Sequence, residues 1–169
     1  MKLTDEGRCA VTQFAVDCAE RALPLFEAKA PTDTRPREAI EAARAYALGG
    51  QRTAQLRSCA WAAQKAAGEV GDPAAKAAAR AAVGAAGAPY IHDLESPHQL
   101  NHVLGPAVSM AQARELATDD PALGDEEIRW AIEHASPLVR KVVRRWPARD
   151  PGRTRLSTLN HQLDKGLRD

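Results

Sequence analysis

The segment His92-Asp93-Leu94-Glu95-Ser96-Pro97-His98-Gln99-Leu100-Asn101-His102 holds three of the chain's five histidines beside two carboxylates. On a helix, His98 and His102 stand one turn apart on the same face. That spacing lets two imidazoles bind one divalent metal, with Asp93 or Glu95 completing the set. His92, His98, His102 and Glu95 therefore mark the candidate centre of a metal-binding protein or enzyme. Two features count against it. The glutamate that makes a zinc-protease helix catalytic is replaced by Gln99. Leu100, Val103, Leu104, Ala107 and Ala111 form the apolar face of the same helix, which leaves the histidines on its polar side, suited to packing or hydrogen bonding in an interhelical groove.

Other chemistries find less support. The chain has neither a Gly-x-Ser-x-Gly turn nor a phosphate-cradling Gly-x-x-x-x-Gly-Lys loop. Cys9, Cys18 and Cys59 are odd in number and lack the close pairing of a zinc or redox motif, so they read as reduced thiols of the core. The expectation is a non-enzymatic protein without a cofactor.

The elements that would carry these residues are helices. Alanine is abundant, aromatics make up 4% of the 169 residues, and proline repeatedly follows a capping residue, as in Thr34-Arg35-Pro36, Asp72-Pro73, Ser96-Pro97 and Ser136-Pro137. The pattern predicts helices near 4–28, 36–48, 51–69, 73–87, 97–117, 124–134 and 137–146, with a short one near 154–166. Asp119-Asp120-Pro121 reads as a stop between two of them. The fold class is therefore all-α, a single-domain bundle of seven to eight helices over residues 1–169, with the tail 147–169 less regular. Pro24 lies inside the first apolar stripe and should kink or restart that helix.

Charged residues make up 27% of the chain and balance to a net +1, which disfavours a globally basic nucleic-acid binder. The amino terminus turns acidic at once without an apolar signal core, and no window has the apolar length of a membrane span. A cytoplasmic protein with no membrane partner is the expectation.

Four side chains stand out as candidate contacts for a protein partner. Arg37 and Arg44 lie on one edge of the second helix, where they can reach Asp17, Glu20 or Glu27 across a hairpin or face a partner's carboxylates. Trp61 and Trp130 lie opposite the apolar stripes of their helices and either pack under a neighbouring element or stand out as anchors. After Pro137 the stripe Leu138, Val139, Val142, Val143 and Trp146 turns Arg140, Lys141, Arg144 and Arg145 outward. That basic face is either solvated or binds an acidic protein, with nucleic acid the weaker alternative.

The chain resembles the small all-helical predicted immunity proteins of bacterial polymorphic-toxin systems. The motifs that carry the resemblance are Asp17-Cys18-Ala19-Glu20, Leu23-Pro24-Leu25-Phe26-Glu27, the run from Asp33 to Arg44, the run from Ser96 to Pro106, and Asn160-His161-Gln162-Leu163-Asp164. The run Arg35-Pro36-Arg37-Glu38-Ala39-Ile40-Glu41-Ala42-Ala43-Arg44 is the most specific. The resemblance implies a partner, a cognate toxin bound and neutralised by steric occlusion, and supplies no catalytic residue. Association as a homodimer is left open.

Overall fold

The computed structural model describes residues 2–169. Eight α-helices follow in order: α1 (Asp5–Glu27), α2 (Arg35–Ala47), α3 (Ala54–Glu69), α4 (Pro73–Gly87), α5 (Asn101–Thr118), α6 (Pro121–His134), α7 (Pro137–Val143) and α8 (Arg155–Arg168). Two 3-10 turns, Ala88–Tyr90 and Pro97–Leu100, lie between α4 and α5. Among the described residues there is no strand, and no helix is long and apolar enough to cross a membrane.

Helix α4 is the hub, packed against α1, α2, α3 and α5. Its alanines at 74, 75, 77, 78, 79, 81, 82, 85 and 86 are all buried, so burial extends almost around the helix. A methyl side chain loses no rotamer entropy on burial and keeps the helix thin, which favours helix formation and close neighbours together. Helix α5 comes close enough that a Cβ built on Gly84 would stand 2.9 Å from Cγ of Pro106. Larger side chains from the partner helices, among them Phe26, Ile40, Leu56, Leu104 and Met110, complete the core. Helix α1 is buried on several sides as well, because it meets α2, α4, α5 and α7. It continues through Pro24 and ends one turn later, so the proline sits where few backbone bonds remain to be lost.

The helix starts follow their caps. Side chains of Thr4, Thr53, Asp72, Asp120, Ser136 and Thr154 each accept a hydrogen bond from a backbone amide in the first turn of the helix they precede. Asp119-Asp120-Pro121 is a stop and a start in one. Asp119 takes the left-handed conformation that ends α5 (φ 52°), Asp120 caps α6, and Pro121 is its first residue, so α6 begins before the expected 124. Helix α3 begins at Ala54 rather than 51, after its Thr53 cap, and α7 ends at Val143 rather than 146.

The segment 147–169 divides in two. Residues 147–154 carry no helix, whereas α8 is regular and buries Leu159, Leu163 and Leu167 at four-residue spacing against the bundle. Arginines hold this corner through carbonyls. Arg140 donates to the Ile132 and Gly166 carbonyls at 2.6 and 2.8 Å, Arg144 to that of Arg168 at 2.9 Å, and Arg168 to those of Val143 and Pro147 at 3.3 Å each. Most of these acceptors belong to the last turns of α6, α7 and α8, where carbonyls lack intrahelical partners and the helix dipole favours a cation. Of the basic face expected to point outward, Lys141 and Arg144 are exposed, whereas Arg140 is turned onto backbone carbonyls and Arg145 onto Asp93. Beneath it, Asp164 is 1% exposed and accepts from Arg168 Nε and the Arg149 amide, both at 2.8 Å.

The Gly84–Pro106 contact and the open surface at Gly68 give opposite expectations for the same substitution. Gly84→Ala should destabilise by about 1–3 kcal/mol through overpacking against a rigid ring, despite alanine's better helix propensity. Gly68→Ala meets nothing within 4 Å and should stabilise by about 0.5–1 kcal/mol. Urea denaturation measures both; a Gly84→Ala chain as stable as the parent would show that the α4–α5 seam has slack.

Candidate functional site

The histidine segment does not assemble into one centre. Pro97–Leu100 is a 3-10 turn and α5 begins only at Asn101, so His98 and His102 do not share a continuous α-helical face. His92 and His98 are exposed, while His102 is half-buried. Burial holds the His102 pKa below the usual histidine value; the nearby His92 adds to this, and a hydrogen bond to the Gly87 backbone opposes it. Glu95 lines a different pocket from His92. Among the described residues no group of three or more His, Cys, Asp or Glu side chains is placed to hold a metal. The alternative centre on His92, His98, His102 and Glu95 therefore lacks its geometry, because the chain changes helix type within the segment.

Arg37 and Arg44 meet the acids of the facing helix. Arg37 makes a two-pronged contact with Glu27, Nε to Oε2 at 3.0 Å and Nη2 to Oε1 at 2.6 Å. Arg44 bonds Glu20 at 2.8 Å and also Glu41. Asp17 instead accepts from Gln13 on its own helix and pairs with His134 Nε2, each at 2.8 Å. Upstream, Arg35 bonds Asp33 and Glu69, which ties the start of α2 to the end of α3. These pairs lie at the surface, where solvent screens them, so their main effect is to fix the alignment of the neighbouring helices.

The two tryptophans differ. Trp130 is half-buried, stacked on His134 at 4.5 Å between ring centroids, with the Arg21 guanidinium 4.5 Å from its ring. Arg21 in turn donates through Nε and Nη2 to the buried Glu127, so Trp130 belongs to the α1–α6 seam. Trp61 is 70% exposed. It stands on the outer face of α3, whose inner face buries Leu56, Ala63, Ala66 and Ala67.

Trp61 borders an open pocket of about 730 Å³ together with Arg52, Arg57, Tyr90 and His92. Tyr90 comes from the 3-10 turn that ends α4, and Arg52 from the loop before α3. Both guanidiniums approach the Tyr90 ring, at 5.7 Å for Arg52 and 5.3 Å for Arg57. The remaining lining residues, Thr53, Ala54 and Ser58, belong to the first turns of α3 or its cap. No carboxylate lines this pocket. Arg52 and Tyr90 escaped the sequence reading because neither lies in a periodic stripe; only the fold brings the residue before α3 beside the turn after α4.

A second open pocket, about 740 Å³, is lined by Lys2, Lys141, Arg144 and Arg145, with Leu94 and Trp146 among its apolar members. It also contains Asp93 and Glu95. Arg145 pairs with Asp93, and Trp146 Nε1 donates to the Leu94 carbonyl at 3.0 Å. Its charges are thus partly satisfied from within.

The fold is an all-helical bundle whose closely packed helices leave Trp61 exposed beside arginines. Residues 1–138 match the family model described as Imm-5 like putative immunity protein, and the chain belongs to that family. No curated protein and no solved structure matches it. The match covers α1 to α6 and so includes every residue of the Tyr90 pocket.

The depressed His102 pKa has a consequence for stability. A histidine harder to protonate folded than unfolded stabilises the fold above its unfolded value near 6.5, and that stabilisation is lost as pH falls toward the folded-state pKa. His102→Gln should therefore flatten the decline in urea midpoint between about pH 7 and pH 5, the histidine range. Parallel declines in parent and variant would mean that His102 titrates alike in both states.

Proposed function

We propose that this protein is a non-enzymatic immunity protein of a bacterial polymorphic-toxin system, acting in the cytoplasm. It binds a cognate toxin and excludes substrate by covering its active site. Family membership supports the toxin as partner, and the observation that carries the binding surface is Trp61, an aromatic 70% exposed beside arginines. Tryptophan, tyrosine and arginine are the residues that most often dominate interface energies, because each removes a large rigid surface from water while keeping a polar handle. Trp130, Arg37 and Arg44 join the proposal at a lower level, since each already has a partner within the chain. They can extend the contact only by sharing or exchanging those partners.

Co-expression with the toxin domain encoded beside this chain, and titration of the purified pair, test the proposal. The parent chain should protect cells and bind. Trp61→Ala should lower affinity at least tenfold, or about 1.4 kcal/mol, with an unchanged thermal midpoint. Arg44→Ala should have the smaller effect on binding. Failure of the parent chain to bind or protect would overturn the immunity reading, and full affinity in Trp61→Ala would move the interface elsewhere.

A further inference from the structure

We infer that the Tyr90 pocket reads charge: Arg52 and Arg57 receive the carboxylates of an acidic protein segment, while an adjoining apolar side chain of that segment lies against Trp61 and Tyr90. The protein nature of the partner rests on the toxin-binding reading; its chemistry rests on the pocket.

Neither the Arg52 nor the Arg57 guanidinium has an ion-pair or hydrogen-bond partner among the described residues, and no carboxylate lines the pocket they share. The chain has no shortage of acids, with 22 Asp and Glu against 23 Lys and Arg. Elsewhere it spends two carboxylates on a single arginine, as at Arg35, Arg44 and Arg155. Two unpaired guanidiniums at one aromatic ring therefore leave a local positive excess at this pocket.

The aromatic ring holds this excess in place. A guanidinium attracted to a ring face loses some of its mobility, while its in-plane N–H groups remain free for a two-pronged carboxylate contact. The start of the 16-residue α3 beneath adds further positive character. An incoming acid also screens the repulsion between the two arginines, so binding gains from both contacts. Trp61 and Tyr90 supply apolar surface next to these donors, which suits a segment combining Asp or Glu with Leu, Phe or a similar residue.

Phosphate-rich nucleic acid fits less well. The net charge is +1, and no Lys or Arg besides Arg52 and Arg57 lines the pocket.

Selection of a random-peptide display library on the full chain tests the inference, with counter-selection on the Arg52→Glu, Arg57→Glu double variant. Recovered peptides should combine at least two acidic residues with an apolar one. Their affinity should fall at least about tenfold on the double variant and fall with added salt. A charge-matched control, Arg80→Glu with Arg129→Glu, should leave binding within about twofold once the same salt is used. All four arginines are exposed or unpaired, so thermal midpoints should stay with the parent.

Peptides without acidic enrichment, equal loss in the control, or tighter arginine-dependent binding of oligothymidylate than of any peptide would each overturn the inference. The two readings fail separately. A chain that selects acidic peptides but does not protect against the neighbouring toxin retains the pocket chemistry and loses the toxin. Protection undiminished in the double variant does the reverse.

Discussion

Everything in this fold depends on how near its helices can come to α4. With alanine at nearly every buried position, that helix presents its backbone and methyl groups to four neighbours at once. A leucine-rich hub would force the neighbours outward and open gaps between them. Here the bulk comes from the surrounding helices, whose Phe26, Ile40, Leu56 and Leu104 fill the space around a thin centre. The same economy lets Pro106 of α5 sit on Gly84, where a side chain would collide. It also brings Tyr90, just beyond the end of α4, against the start of α3, and so creates the pocket.

A second constraint acts at the carboxy-terminal corner. Helix α7 is only seven residues long, too short to be stable by itself. Arg140, Arg144 and Arg168 bond the open carbonyls at the ends of α6, α7 and α8, while Asp164 holds Arg168 and the Arg149 amide from below. These contacts satisfy acceptors that would otherwise be left to water, and they orient a short helix by its ends rather than by its length. Apolar contacts from Val139, Val142 and Val143 complete the attachment.

Much of this architecture was legible because it rests on local rules. Proline after a capping residue marked helix starts at Pro73 and Pro137, and the Arg37–Glu27 and Arg44–Glu20 pairings followed from the edges of two adjacent helices. Misreadings arose where one local signal has two meanings. Asp119-Asp120-Pro121 both ends and begins a helix, and Pro97 opens a 3-10 turn, which removed the shared face of His98 and His102. The outward direction of the basic residues after Pro137 holds for Lys141 and Arg144 but not for Arg140, whose acceptors lie on α8 and at the end of α6 and carry no sequence signal. The Tyr90 pocket could not be read at all: its members at 52, 57, 61, 90 and 92 come from three separate segments. Trp61 was visible as a tryptophan on the wrong face, but its exposure depends on which neighbours the fold supplies.

Helix α3 separates two kinds of demand onto two faces. Leu56, Ala63, Ala66 and Ala67 belong to the core and tolerate little change, whereas Trp61 and Arg57 on the other face support no buried neighbour. Substitutions at such exposed positions usually alter stability by about half a kcal/mol or less. The outer face can therefore diversify across generations while the bundle beneath is inherited unchanged. Changes can accumulate there one residue at a time, without passing through an unfolded ancestor.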